Sequence, residues 1–200
     1  MDGSKKIFAF DFDGTLTTAD TLLEFVSFAR GRRALALWML ANLPLLALMK
    51  LRLVSNHKMK ERLFGHFFAG TDVAGFDALC RRFATERHSL LRPMGVAAVA
   101  RAVESGARVL VVSASVDNWV APFFCGFGGR VTVVGTRAEA RDGVLTGRFA
   151  TRNCYGAEKV RRIMELCPNR AECRLTAYGD SRGDREMLAF ADEAHYKPFR

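Results

Sequence analysis

The chain is poor in the patterns that would place it in several common classes. Its 200 residues hold five cysteines, an odd number, with no C-x-x-C pair or other zinc spacing. That argues against a disulfide framework and a structural zinc site, and fits a reducing compartment. The N-terminal MDGSKKIFAF has no apolar segment long enough for a signal peptide before aspartates arrive, so a cytoplasmic location is expected. His57, His66, His88 and His195 show no ligand spacing. The glycine-rich GFGGR, residues 126–130, lacks the strand-then-helix setting of a dinucleotide site.

Acids are scarce in one region. From Arg30 to Arg62 there are eight basic residues (Arg30, Arg32, Arg33, Lys50, Arg52, Lys58, Lys60, Arg62) against one acid, Glu61. This block holds +7 of the net charge of +9. Such a block is either a solvated face or an attraction for phosphate, acidic lipid or nucleic acid. No nucleic acid is expected, because Trp38, Phe64, Phe67 and Phe68 read as core rather than as stacking platforms.

The remaining composition is that of a globular protein able to bury a core, with 50% hydrophobic and 26% charged residues. KKIFAFDF is a continuous apolar run of strand length, as in a strand buried on both faces. Ala107 to Ser115, Arg130 to Thr136 and Arg174 to Ser181 repeat the pattern, EAHYKPF is a short last strand, and Asp142-Gly143 fits a two-residue hairpin turn. Helices over Gly156 to Cys167 and Arg182 to Phe190 fill the gaps. The alternation predicts an α/β fold, a doubly wound, Rossmann-like parallel sheet whose ligands bind at the carboxyl ends of its strands.

About ninety residues separate the first two strands, and none of them reads as strand. Thr21 to Ala29 is helical. Met59, Leu63, Phe64, Phe67 and Phe68 share one helix face; Phe76, Leu79, Cys80 and Phe83 share another. The expected organisation is a core of residues 1–17 and 92–200 with an all-helical cap, 18–91, inserted into it. Within the cap, Ala34 to Met49 is apolar around its whole circumference, with a kink expected at Pro44 and with Arg32, Arg33, Lys50 and Arg52 at its ends. It is shorter than the roughly 20 residues of a spanning helix. Burial within the cap and insertion into a membrane interface, with basic ends at anionic headgroups, are the two remaining readings.

Asp11 and Asp13 close the first strand. In extended chain, residues i and i+2 point the same way, so both reach one site. Carboxylates that close repel unless a cation lies between them. A second acidic cluster, GDSRGD with Asp180 and Asp184, closes the fourth strand. Four carboxylates at carboxyl ends, with oxygen ligands only, suit Mg²⁺.

DFDGTLT resembles the first signature of the haloacid dehalogenase-like hydrolases, whose phosphatases carry D-x-D-G-[TS]. VLVVSAS, ending on Ser113, resembles the second signature; GAEKV, with Lys159, the third; and YGDSRGDREML, with Asp180 and Asp184, the fourth. A helical cap between the first two signatures is similar to the subfamily that includes phosphoserine phosphatase, and the apolar insert with flanking arginines looks like the phosphatidylglycerophosphatase C group. The resemblance implies a phosphatase acting on a phosphomonoester. Asp11 would be the nucleophile, giving an aspartyl-phosphate, and Asp13 the general acid and base. Mg²⁺ would be held by Asp11, Asp180 and the carbonyl of Asp13, and Asp184 would support the metal shell or orient Lys159. Ser113 and Lys159 would bind phosphoryl oxygens, with backbone donors permitted by Gly14 and Ala114. By the same resemblance, Asp20 and Arg62 are candidates for contacting a phosphoserine-like leaving group. Ser115 and Asp117 read as caps of the following helix. The greasy cationic insert fits a lipid phosphate and peripheral contact with an anionic membrane at its inner face.

Overall fold

The computed structural model describes residues 5–51 and 53–200; residues 1–4, and Arg52 of the expected basic flank, lie outside them. The strands are β1 (Lys5–Phe10), β2 (Arg108–Val116), β3 (Val131–Thr136), β4 (Ala138–Arg141), β5 (Val144–Phe149), β6 (Cys173–Gly179) and β7 (Glu193–Tyr196). Five form one sheet in the order β3-β2-β1-β6-β7, with every pairing parallel. Side chains alternate across the central strands. Ile7, Ala9, Leu110, Val112, Leu175 and Ala177 pack on one side with Ile163 of α8 (Ala157–Leu166) and Met187 of α9 (Arg185–Phe190). Phe10, Val109 and Val111 turn to the other side. The sheet is covered on both faces, which is why its strands read as continuous apolar runs. Phe10 pairs with both Val111 and Tyr178, so Asp11, Ser113 and Asp180 emerge at one edge.

Among the described residues, five α-helices lie between β1 and the helix α6 (Pro93–Glu104) that leads into β2: α1 (Thr21–Arg30), α2 (Arg32–Ala41), α3 (Leu43–Lys50), α4 (Asn56–Phe68) and α5 (Val73–Glu86). Phe25 stacks on Trp119 with centroids 4.9 Å apart and meets Phe83 edge-on at 5.2 Å. Trp119 belongs to α7 (Asp117–Val120), directly after β2, so the inserted helices and the sheet share one hydrophobic cluster.

The apolar stretch is only partly buried in that cluster, Leu35, Leu45, Leu46 and Met49 packing against it. Trp38 and Asn42 turn inward, while Leu37 is 68% and Leu40 64% exposed. The chain breaks at Asn42, bending α2 and α3 by 72°. Pro44 lies in the first turn of α3, where a missing N–H costs no helix bond, so the break precedes the proline expected to cause it. No single helix among the described residues is long and apolar enough to cross a membrane.

The second sheet is the hairpin β4–β5. Asp142 and Gly143 both take positive φ, 51° and 77°, the mirror-image turn whose twist matches the flanking strands. The hairpin lies on the inserted helices: Gly70 N–H donates to Leu145 O at 2.8 Å and Leu145 N–H to Thr71 O at 2.9 Å. The sequence showed the turn but not this docking. Cys167 and Cys173 form one disulfide between α8 and β6, where none was expected; the turn joining those elements brings together residues six apart. Cys80, Cys125 and Cys154 are free.

Candidate active site

Asp11 N–H donates to Tyr178 O at 2.9 Å, and the chain then leaves the sheet in an irregular turn, Phe12–Leu16. Gly14 within it has φ +83°, and a Cβ there would lie 2.6 Å from Asp180 Oδ2, so conformation and space both demand glycine. The turn also separates the two aspartates. Both carboxylates line one pocket, in two subsites.

The first is built around Lys159, which is buried. Its ammonium donates to Asp11 Oδ1 at 2.5 Å, Asp184 Oδ1 at 2.7 Å and Val112 O at 2.7 Å, using all three of its protons. Burial alone pulls the ammonium pKa down, but the Asp11 and Asp184 carboxylates more than reverse this and hold it above its ordinary value. Asp184 Oδ2 accepts from the N–H groups of Asp180 and Ser181 and the Ser181 hydroxyl. Burial pushes Asp184 up, and Lys159 and these donors bring it below the usual carboxylate range. Thr15 Oγ1 sits 2.9 Å from Asp11 Oδ2 and 3.4 Å from Asp180 Oδ1, sharing one proton between them. Asp180 Oδ2 pairs with Arg200.

Asp11, Asp180 and Asp184 are all buried and offer oxygens within 4.8 Å of one another. Three carboxylates face two cations, Lys159 and Arg200, so the cluster is short of positive charge. Asp11 accordingly has its pKa pushed up to about 7, chiefly by burial and despite Lys159. Burial also raises Asp180, against Arg200. An oxygen-seeking divalent cation would supply the missing charge, and this all-carboxylate donor set fits Mg²⁺.

The second subsite surrounds Asp13, whose carboxylate lies outside the acidic cluster. Thr21 donates to Oδ1 from its backbone N–H at 2.7 Å and its hydroxyl at 2.6 Å. Ser115 Oγ donates to Oδ2 at 2.7 Å and Ser113 Oγ at 3.2 Å. Ser113 thus spends its proton on Asp13 and accepts from Ser115 N–H at 2.9 Å.

A pocket of about 370 Å³ lies over both subsites, with Asp11, Asp13, Gly14, Ala114, Lys159, Asp180 and Asp184 in its wall. Asp20, Asn56 and Lys60 reach it from the inserted segment. Lys60 Nζ approaches Ala114 O at 3.5 Å. Asp20 also caps α1, accepting from Leu22 N–H at 3.0 Å; burial, then Asp13, pushes its pKa up. Arg62 does not line the pocket: its Nε donates to Asn42 Oδ1 at 3.0 Å on another side of α4. Residues two apart on a helix point ~200° apart, so Lys60 and Arg62 cannot share a target.

Ser115 is no helix cap, and Asp117 opens α7 facing Arg137 at 3.7 Å. The alternation that pairs Asp11 with Asp13 would have paired Ser115 with Ser113 on one strand face. Thr15 stood within the quoted motif. Lys60 was one of eight cations with nothing local to single it out, and Arg200 carried no signal.

Residues 8–189 match the family described as haloacid dehalogenase-like hydrolase. The chain belongs to that family. It is an enzyme of the hydrolase class. Over 197 residues it is 40% identical to Protein CicA of Caulobacter vibrioides, covering 96% of this chain and 86% of that one. A Bordetella pertussis Tohama I protein described as of unknown function superposes with a TM-score of 0.81 at 22% identity, over 96% of this hydrolase and 89% of its own chain. A phosphoserine phosphatase from T. onnurineus gives 0.61 at 22%, over 98% and 84%. At these identities the two structural likenesses establish the fold.

Proposed function

We propose that the hydrolase is a Mg²⁺-dependent phosphomonoesterase in which Asp11 is the nucleophile. The observation that carries this reading is a pair of carboxylates in one pocket, Asp11 held by Lys159 within an acidic cluster and Asp13 held by hydroxyls outside it. An Asp11 oxygen attacks the phosphorus in line, the bond to the leaving oxygen breaks, and an aspartyl-phosphate forms. Asp13 gives the leaving alkoxide a proton, then takes one from the water that hydrolyses the intermediate. Its four donors keep it in place while the rotatable Ser115 and Thr21 hydroxyls adjust to either protonation state. Lys159, on trading one of its three acceptors for a phosphoryl oxygen, and Ser113, on exchanging Asp13 for phosphate, would bind the oxygens over which charge spreads. Asp11, Asp180 and the Asp13 backbone carbonyl would hold Mg²⁺, with Asp184 supporting them; bound there, the ion offsets repulsion between anionic nucleophile and anionic phosphate. In this reading residues 1–17 and 92–200 are the catalytic core and 18–91 the cap, which carries the β4–β5 hairpin on its flank.

For the substrate we favour a lipid phosphate, such as phosphatidylglycerophosphate, met at the cytoplasmic face of a membrane. Lys60 in the pocket wall stands ready for a second anionic group, and α2–α3 of the same inserted segment exposes leucines. A second reading, a phosphoserine-like metabolite, draws on Asp20 and Lys60 in the same pocket as partners for an amino and a carboxylate group. Phosphate release from micellar phosphatidylglycerophosphate, phosphoserine and soluble sugar and nucleotide monophosphates, with and without Mg²⁺, separates them. Asp11→Asn is expected to abolish turnover with an unchanged circular dichroism spectrum. Substantial Mg²⁺-dependent turnover by that variant would overturn the nucleophile assignment.

A further inference from the structure

The bent pair α2–α3 has a dry inner side and a greasy outer one. Inward, Trp38 packs into the cluster, and Asn42 at the corner donates to Trp38 O at 2.8 Å and accepts from Arg62. The corner is therefore tied to α4. Outward, Leu37, Leu40, Leu43 and Leu48 are exposed, and the run continues after α3 with Leu51 (69% exposed) and Leu53 (72%). A contiguous apolar surface of this kind marks an interaction site.

Its charges have an order. Arg33, Leu37 and Leu40 follow one another at helical spacing on α2; Leu43, Ala47 and Lys50 do so on α3. Leucines thus gather toward the corner, with cations at the two outer ends. No acid occurs between Glu24 and Glu61. A second copy of the chain on this face would set cations against cations across a two-fold axis. An anionic bilayer meets both features at once.

We infer that α2–α3 is a wedge that enters one leaflet of an anionic membrane, corner first, with Arg32, Arg33 and Lys50 at headgroup level. Length sets its depth. Ten and eight residues rise ~15 and ~12 Å, no more than half of a ~30 Å hydrocarbon core, and the bend shortens the reach. The wedge docks without spanning. Leu53 is three residues from Asn56 in the pocket wall, at most ~10 Å of chain. The end of the wedge and the pocket wall are thus neighbours along the chain. The inference concerns binding, and stands whether or not the site hydrolyses phosphate.

The test uses the full chain with vesicles of phosphatidylcholine alone or mixed with phosphatidylglycerol, free of any phosphomonoester. Co-sedimentation with the anionic vesicles at low salt is expected, weaker by about tenfold or more on neutral ones or at high salt. Leu40→Glu with Leu43→Glu should abolish it; both side chains are exposed, and an unchanged melting temperature shows that folding is intact. Arg32→Ala with Arg33→Ala should weaken it and flatten its salt dependence. Failure of the unaltered chain to bind anionic vesicles overturns the inference, as does equal binding by the glutamate variant. So does a dimer in sedimentation velocity that the glutamates dissociate while vesicle binding stays absent.

Discussion

Asp11 and Lys159 are 2.5 Å apart in a buried cluster that still has more carboxylates than cations. The consequence is a proton. In the metal-free protein Asp11 retains one up to about pH 7, whereas an unfolded aspartate loses it near 3.8. A raised acid stabilises the fold below the lower value, and that contribution disappears as pH climbs from 3.8 toward 7. A divalent cation must displace the same proton. Apparent Mg²⁺ affinity should therefore fall by about tenfold per pH unit as pH drops below 7. Calorimetric titration of metal-free protein at pH 5.5 to 7.5 reads this directly; a flat affinity across that range would contradict the displacement. At this level the acids were legible, because two-residue spacing and strand ends are local features. The hydroxyl cradle of Asp13 was not, since Thr21 on α1 and the Ser113–Ser115 pair on β2 lie more than ninety residues apart in the chain.

The β4–β5 hairpin and α4 touch through glycine. Gly147 has φ +83°, and a Cβ on it would meet Ala69 Cβ at 2.8 Å and Gly65 Cα at 2.9 Å. Gly147→Val should thus destabilise the protein by about 2 kcal/mol or more through strain and overpacking. Urea unfolding checks it; a loss below half that value would mean that the hairpin moves away at little cost. Elements as such were readable from the sequence, down to the Asp142-Gly143 turn. Their partners were not. Hydrophobic period reveals that a face is buried, without naming what buries it, and the uniform greasiness of 34–49 concealed which side faces out.

Phe25 and Trp119 join the inserted helices to the sheet, with Phe64, Phe68, Phe76 and Phe83 around them. The molecule should therefore unfold as one unit. Trp119→Ala is expected to cost ~3–5 kcal/mol and to lower a single transition. Far-ultraviolet circular dichroism and tryptophan fluorescence followed in parallel would test this; two separated transitions would show that the inserted helices melt independently.

The parallel α/β class, the family and the acidic residues at strand ends all came from short-range pattern, because alternation and motif spacing are properties of contiguous chain; the order β3-β2-β1-β6-β7 across the sheet did not. Three matters needed the folded molecule: Lys60 rather than Arg62 enters the pocket, Ser115 serves Asp13 rather than a helix, and the apolar stretch buries one side while leaving the other open. Each depends on which surfaces meet between segments distant in the chain, and side-chain direction at such contacts is set by packing, which no local pattern encodes.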